Sequence, residues 1–169
     1  MKTEFDRVIF TQAVIDQAAR DKIMSLGSVY LGQPFGIIKA HHMTINYRPT
    51  IDEYNSLNYG DKTTIYAVGA VGDNNCQAIL IETTLPVANK HPHITLSHTL
   101  DVTPKYSNEL IENGKMMMFG EAIPLVATIG WSDGQEDKYY KILTDIDNDI
   151  PVIKSGLSLE NPGQKIVTL

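Results

Sequence analysis

The chain reads His-apolar-Thr-apolar twice, as His42-Met43-Thr44-Ile45 and as His93-Ile94-Thr95-Leu96, 51 positions apart. Strict alternation of this kind marks a β-strand with one covered face, because successive side chains point to opposite sides. Each strand therefore sets one imidazole and one hydroxyl on a shared face and packs its apolar residues on the other. At the same offset Lys39 matches Lys90 and Asn46 corresponds to Ser97, as in a duplicated structural unit. Either tetrapeptide alone is more often a surface strand with an incidental histidine. The pair predicts two strands facing each other across a cleft that holds two imidazoles and two hydroxyls.

That set can handle a phosphodiester without a metal. The attacking oxygen must lose a proton, the leaving oxygen must gain one, and the charge on the phosphoryl oxygens must be held. Imidazole titrates near pH 6.5, so it serves in either proton role close to neutrality. Two are needed, on opposite sides of phosphorus, because attack and departure are in line. The reading assigns His42 and His93 as the acid–base pair, in either order, and Thr44 and Thr95 as donors to the non-bridging oxygens. A free 2′-OH beside the scissile bond could replace water as the nucleophile.

Two His-x-Thr motifs on apolar-flanked strands resemble the 2H phosphoesterase superfamily, which includes 2′,3′-cyclic phosphodiesterases and the phosphodiesterase domain of plant and fungal tRNA ligases. It also includes phage enzymes that destroy cyclic-oligonucleotide alarm signals. The second motif extends as Pro92-His93-Ile94-Thr95-Leu96-Ser97 and soon reaches Pro104-Lys105-Tyr106-Ser107-Asn108, similar to the tRNA-ligase-like and cyclic-nucleotide branches. The resemblance covers about residues 3–133. It implies an α+β fold of two lobes, with antiparallel sheets lining a central cleft and a few flanking helices. The 51-residue spacing is short for the superfamily and implies a small second lobe or a reduced connection between the motifs. Also implied is a hydrolase acting on a small nucleotide without a cofactor, whether a cyclic oligonucleotide messenger or a 2′,3′-cyclic phosphate RNA end. In the phage branch that activity would evade host immune signalling.

Bulk properties agree with a compact ligand. The net charge of −6 argues against non-specific binding along a nucleic-acid backbone, so long duplex RNA or DNA is not expected as a partner. Cys76 is the single cysteine, which excludes an internal disulfide and a cysteine-rich zinc site. No apolar run approaches membrane-spanning length and the first residues lack a signal-peptide core, so the expected location is the cytoplasm, a host's if the chain is viral. The 169 residues suit a single domain, with 134–169 as a C-terminal extension.

Local patterns predict a strand over 5–10 and a helix over 12–26, capped by Thr11 and stopped by Gly27. The first motif strand follows over 38–47, then a loop over 48–61 with a Gly60-Asp61 turn. A hairpin comes next, strands 63–71 and 76–85 turning through Gly72-Asp73-Asn74-Asn75, and leads to the second motif strand over 93–100. Ser107 predicts an N-cap for a helix to Glu112, ended by Asn113-Gly114. Residues 121–129 have strand character, residues 139–143 could be a strand, and Asp145–Asp149 reads as a solvated acidic turn.

Further candidates line up behind the motifs. Trp131, in a polar Gly130-Trp131-Ser132-Asp133 setting, is the first choice for stacking on a base, ahead of Tyr30, Tyr47 and Tyr106. Glu121 could accept from a base edge, and Lys105 with the helix start at Ser107 could attract a second phosphate. His41 points to the opposite face from His42 on a regular strand, and is read as structural or solvent-facing. His91, His93, His98 and Cys76 lack regular ligand spacing, so no metal site is assigned. Two rival readings remain: a module that sequesters a nucleotide without cutting it, and a sheet surface with no phosphate affinity.

Overall fold

The computed structural model describes residues 3–142. The chain divides into two compact units, residues 7–141 and a second made of 1–6 with 142–169. The first holds a 3-10 turn's last residue (Glu4–Arg7) followed by β1 (Phe10–Ile15), α1 (Gln17–Leu31), β2 (Ile37–Ile38), β3 (His42–Tyr47) and α2 (Ile51–Asn55). Then come β4 (Lys62–Gly72), β5 (Cys76–Glu82), β6 (His93–His98), α3 (Tyr106–Asn113), β7 (Met117–Ser132) and β8 (Asp137–Lys138). Of the expected strand 139–143, residues 139–142 form no strand, β8 ending at Lys138, while residue 143 and the Asp145–Asp149 turn lie outside the described residues.

Among the described residues every strand pairing is antiparallel, in the order β1-β3-β6-β5-β4-β7, and β7 returns to pair with β1. Six strands thus close into a barrel, with β2 beside β6 and β8 beside β7. The fold is α+β as expected. One continuous hydrogen-bonded ring stands where two lobes with separate sheets were expected. Closure leaves those six strands no free edge.

Alternation builds the interior. Met43 and Ile45, Ile65 and Ala67, Ile79 and Ile81, Ile94 and Leu96, and Leu125 and Ala127 all point into one core. Each fully buried Ile or Leu there contributes about 1.5–3 kcal/mol relative to exposure. Helix α1 adds Ala19, Ile23 and Gly27, four residues apart and so on one stripe. Gly27 lies inside the helix because a Cβ there would sit 2.7 Å from Leu96 Cδ1. Asp16, not Thr11, caps the helix by accepting from the Ala19 amide, and Gly32 ends it at φ 85°. The run before Asp16 forms β1, which displaces the expected helix by five residues. On the outer face of β5, Ala78 and Leu80 pack against Leu110 and Ile111 of α3. Among the described residues no helix is long and apolar enough to cross a membrane.

Candidate active site on the outer face of β3 and β6

Strands β3 and β6 pair through Met43↔Ile94, both fully buried on the core side. The alternate residues His42, Thr44, His93 and Thr95 therefore share the opposite face, turned away from the core, and all four are half-buried. In this antiparallel register His42 comes beside Thr95 and Thr44 beside His93. The two motifs are neighbours side by side on one surface, and do not confront each other across a gap between lobes. His93 lies close enough for its charge to act on His42.

The strand is irregular where it matters. Between Ile38↔Ser97 and Met43↔Ile94 one strand advances five positions and its partner three, and Ala40 takes φ 44° in the excess. Such bulges re-aim side chains. Here the bulge turns His41 to the same side as His42: its Nδ1 lies 2.9 Å from His42 Nδ1, and its Nε2 lies 2.8 Å from an Asp137 oxygen. The other Asp137 oxygen accepts from Gln12 Nε2 at 2.7 Å. Gln12 pairs with Thr44 across β1 and β3 and is fully buried, yet its Oε1 has no partner among the described residues. The Phe10 ring stacks on His42 with centroids 5.0 Å apart.

Burial pushes the His42 imidazole down to about 4 from its ordinary 6.5; His41, His93 and Lys39 act in the same direction and Asp137 opposes them. His93 is also lowered, chiefly by burial, against the raising effect of the His91 carbonyl that accepts from its Nδ1 at 2.8 Å. Because a carbonyl only accepts, His93 Nδ1 carries a proton and Nε2 is its exchanging nitrogen.

The threonines differ in support. Thr95 Oγ1 lies 2.8 Å from Ser107 Oγ, itself 3.4 Å from Cys76 Sγ. Burial raises the Cys76 thiol and keeps it protonated, with the Ser107 contact acting against that. A protonated thiol can donate to Ser107, which frees Ser107's proton for Thr95 and Thr95's for a ligand. Ser107 is thus no N-cap: Lys105 takes that position and Ser107 faces the sheet from the first turn of α3.

Of the other expected contacts, Lys105 lies over Tyr47 at the end of β3, its Nζ 5.1 Å from the ring, with the Arg48 guanidinium at 5.7 Å. Tyr47 is 56% exposed. Tyr106 gives its hydroxyl to Asp73 at 2.6 Å and packs its ring in the α3 cluster. Trp131 is fully buried within β7, donating its indole N–H to the Tyr140 carbonyl at 2.8 Å, so it offers no stacking face. That placement corrects the first choice, because the polar setting of Trp131 belongs to a strand paired on both sides. Glu121 is exposed on β7, two strands from β3 around the ring, where pairing with β4 is interrupted. Neither joins the motif face. Asp137 does, and it lies in the stretch read as an extension.

No family model and no curated protein matches the sequence. Among solved structures, the chain is similar to a fungal RNA kinase, with TM-score 0.52 and 12% identity over 76% of this chain and 46% of that one. The chain spans less than half the length of that kinase chain, and at this identity what the two share is the fold.

Proposed function

We propose that the protein is a phosphodiesterase that opens or cuts a ribonucleotide phosphodiester using His42 and His93 for proton transfer, with Thr44 and Thr95 holding the phosphate and no metal required. The observation that carries this reading is the Met43↔Ile94 pairing, which sets both imidazoles and both hydroxyls on one accessible face. Each His has an Nδ1 already engaged by a protein group, leaving its Nε2 for a ligand. Tyr47, flanked by Lys105 and Arg48, takes the stacking role first given to Trp131, and the two cations suit a neighbouring phosphate. The substrate is a small nucleotide, either a 2′,3′-cyclic phosphate at an RNA end or a cyclic oligonucleotide. A fold shared with a kinase named for RNA favours the first, and the net charge of −6 favours a compact ligand in either case.

The test incubates the full chain in EDTA with 2′,3′-cyclic mononucleotides and with cyclic dinucleotides, and separates the products by chromatography. Hydrolysis should fall by about 10²-fold or more in His42→Ala and in His93→Ala. Full activity in both variants would overturn the reading. Recovery of unchanged nucleotide after tight binding would instead support a sequestering module, and no thermal shift with any nucleotide a plain sheet surface.

A further inference from the structure

The chain Gln12–Asp137–His41–His42 crosses four segments of the fold, β1, β8, the β2–β3 bulge and β3, and ends on a motif histidine. We propose that Asp137 and His41 are positioning residues that hold His42 with its Nδ1 protonated and its Nε2 bare, which makes His42 the base and His93 the acid. The proposal rests on the phosphodiesterase reading above.

A carboxylate only accepts, so when His41 carries a single proton, Asp137 draws that proton to Nε2 at 2.8 Å and His41 Nδ1 is an acceptor. Only one proton fits between two Nδ1 atoms 2.9 Å apart, so it belongs to His42. His42 Nε2 is left with a lone pair on the face it shares with His93 and the threonines. Asp137 is itself held on both oxygens, by His41 at 2.8 Å and by Gln12 at 2.7 Å, which keeps it from turning away. Other groups acting on His42 are Lys39 from the β2–β3 connection, His93 from β6 and the Phe10 ring from β1. Burial first, then His41, His93 and Lys39, disfavour a positive charge on His42 against the opposing Asp137, so the resting base is neutral.

The step balances. The oxygen of water bonds to phosphorus as its proton passes to His42 Nε2. The bond from phosphorus to the ribose oxygen breaks as the doubly protonated, cationic His93 gives that oxygen its Nε2 proton and returns to its neutral Nδ1–H form. His42 ends protonated, its Nδ1–H donating to His41 and its charge stabilised through His41 by Asp137. Exchange with solvent then restores both rings.

Two measurements separate this inference from the reading beneath it. Long-range proton–nitrogen NMR on the wild-type chain at pH 7 should show a protonated Nδ1 and a bare Nε2 on His42. A protonated Nε2 there would overturn the inference with no reference to activity. With 2′,3′-cyclic AMP as probe, Asp137→Asn and His41→Ala should lower kcat by about 10²-fold with KM little changed and move the acid limb of the pH profile. His41→Gln should restore much of the rate, because its amide nitrogen can donate to Asp137 while its oxygen accepts from His42. Wild-type kcat and pH profile in Asp137→Asn, with His42→Ala and His93→Ala dead, would sink the relay and leave the phosphodiesterase. Activity intact in those last two variants would sink both.

Discussion

His42 carries two burdens, chemistry and a cost to the fold. Its imidazole is lowered from 6.5 to about 4 mainly by burial, so the unfolded chain binds a proton there more readily than the folded one. Stability from this residue is therefore full above pH 6.5 and lost as the pH falls through 4, by at most about 3 kcal/mol. Urea unfolding at pH 4.5 and 7 should show that loss in the wild type and a smaller one in His42→Gln. In catalysis the same value places the acid limb of kcat/KM near pH 4 for free enzyme, while the lowered His93 sets a basic limb below 6.5. At Thr95 the hydroxyl is backed by Ser107. Thr95→Val keeps the shape and removes the donor, and should cost about 10²-fold in kcat/KM. Tyr47→Ala should raise KM about tenfold, in keeping with roughly 1–3 kcal/mol for stacking one base.

Among the elements, β8 has the most exacting placement. A Cβ on Gly130 would lie 2.6 Å from the Lys138 carbonyl and 2.9 Å from the Tyr139 ring, so only glycine lets β8 settle against β7 and deliver Asp137. Gly130→Ala should displace that segment, lower kcat toward the Asp137→Asn level, and shift Trp131 fluorescence, since the indole is tied to the Tyr140 carbonyl. Helix α2 is held by a capping box in which Thr50 and Glu53 exchange hydrogen bonds. Thr50→Ala should cost about 1 kcal/mol in thermal unfolding. That box was present in the sequence as Thr50-Ile51-Asp52-Glu53, a signal outweighed by the Pro and Asn around it in the loop assignment. Similarly, two cap-type residues, Thr11 and Asp16, competed for the start of α1. The apolar Val14 and Ile15 suit a helical stripe or a strand equally, and pairing with β3 and β7 decided for the strand.

For the molecule as a whole, what the residues disclosed was the part governed by alternation. That His42 shares a face with Thr44, and His93 with Thr95, opposite buried Met43 and Ile94, needs only period two; that the two strands lie side by side in one sheet, and not across a cleft, is set by the Met43↔Ile94 pairing. Barrel closure needs β1 to find β7, residues 10–15 against 127–132, a distant pairing that no local pattern specifies. The same limit hid His41 and Asp137. Strict alternation puts His41 opposite His42, but a bulge with Ala40 at φ 44° breaks it, and alanine gives no warning of a left-handed backbone. Asp137 sits 95 residues from His42 and meets its neighbour only once the barrel has closed. The central claim, that His42 and His93 act on one phosphorus as a single device, is tested most directly by a double-mutant cycle on kcat. If they form one unit, His42→Gln with His93→Gln should lose no more than about tenfold beyond the worse single variant. Losses that multiply independently, or a double variant that turns over at the wild-type rate, would contradict it.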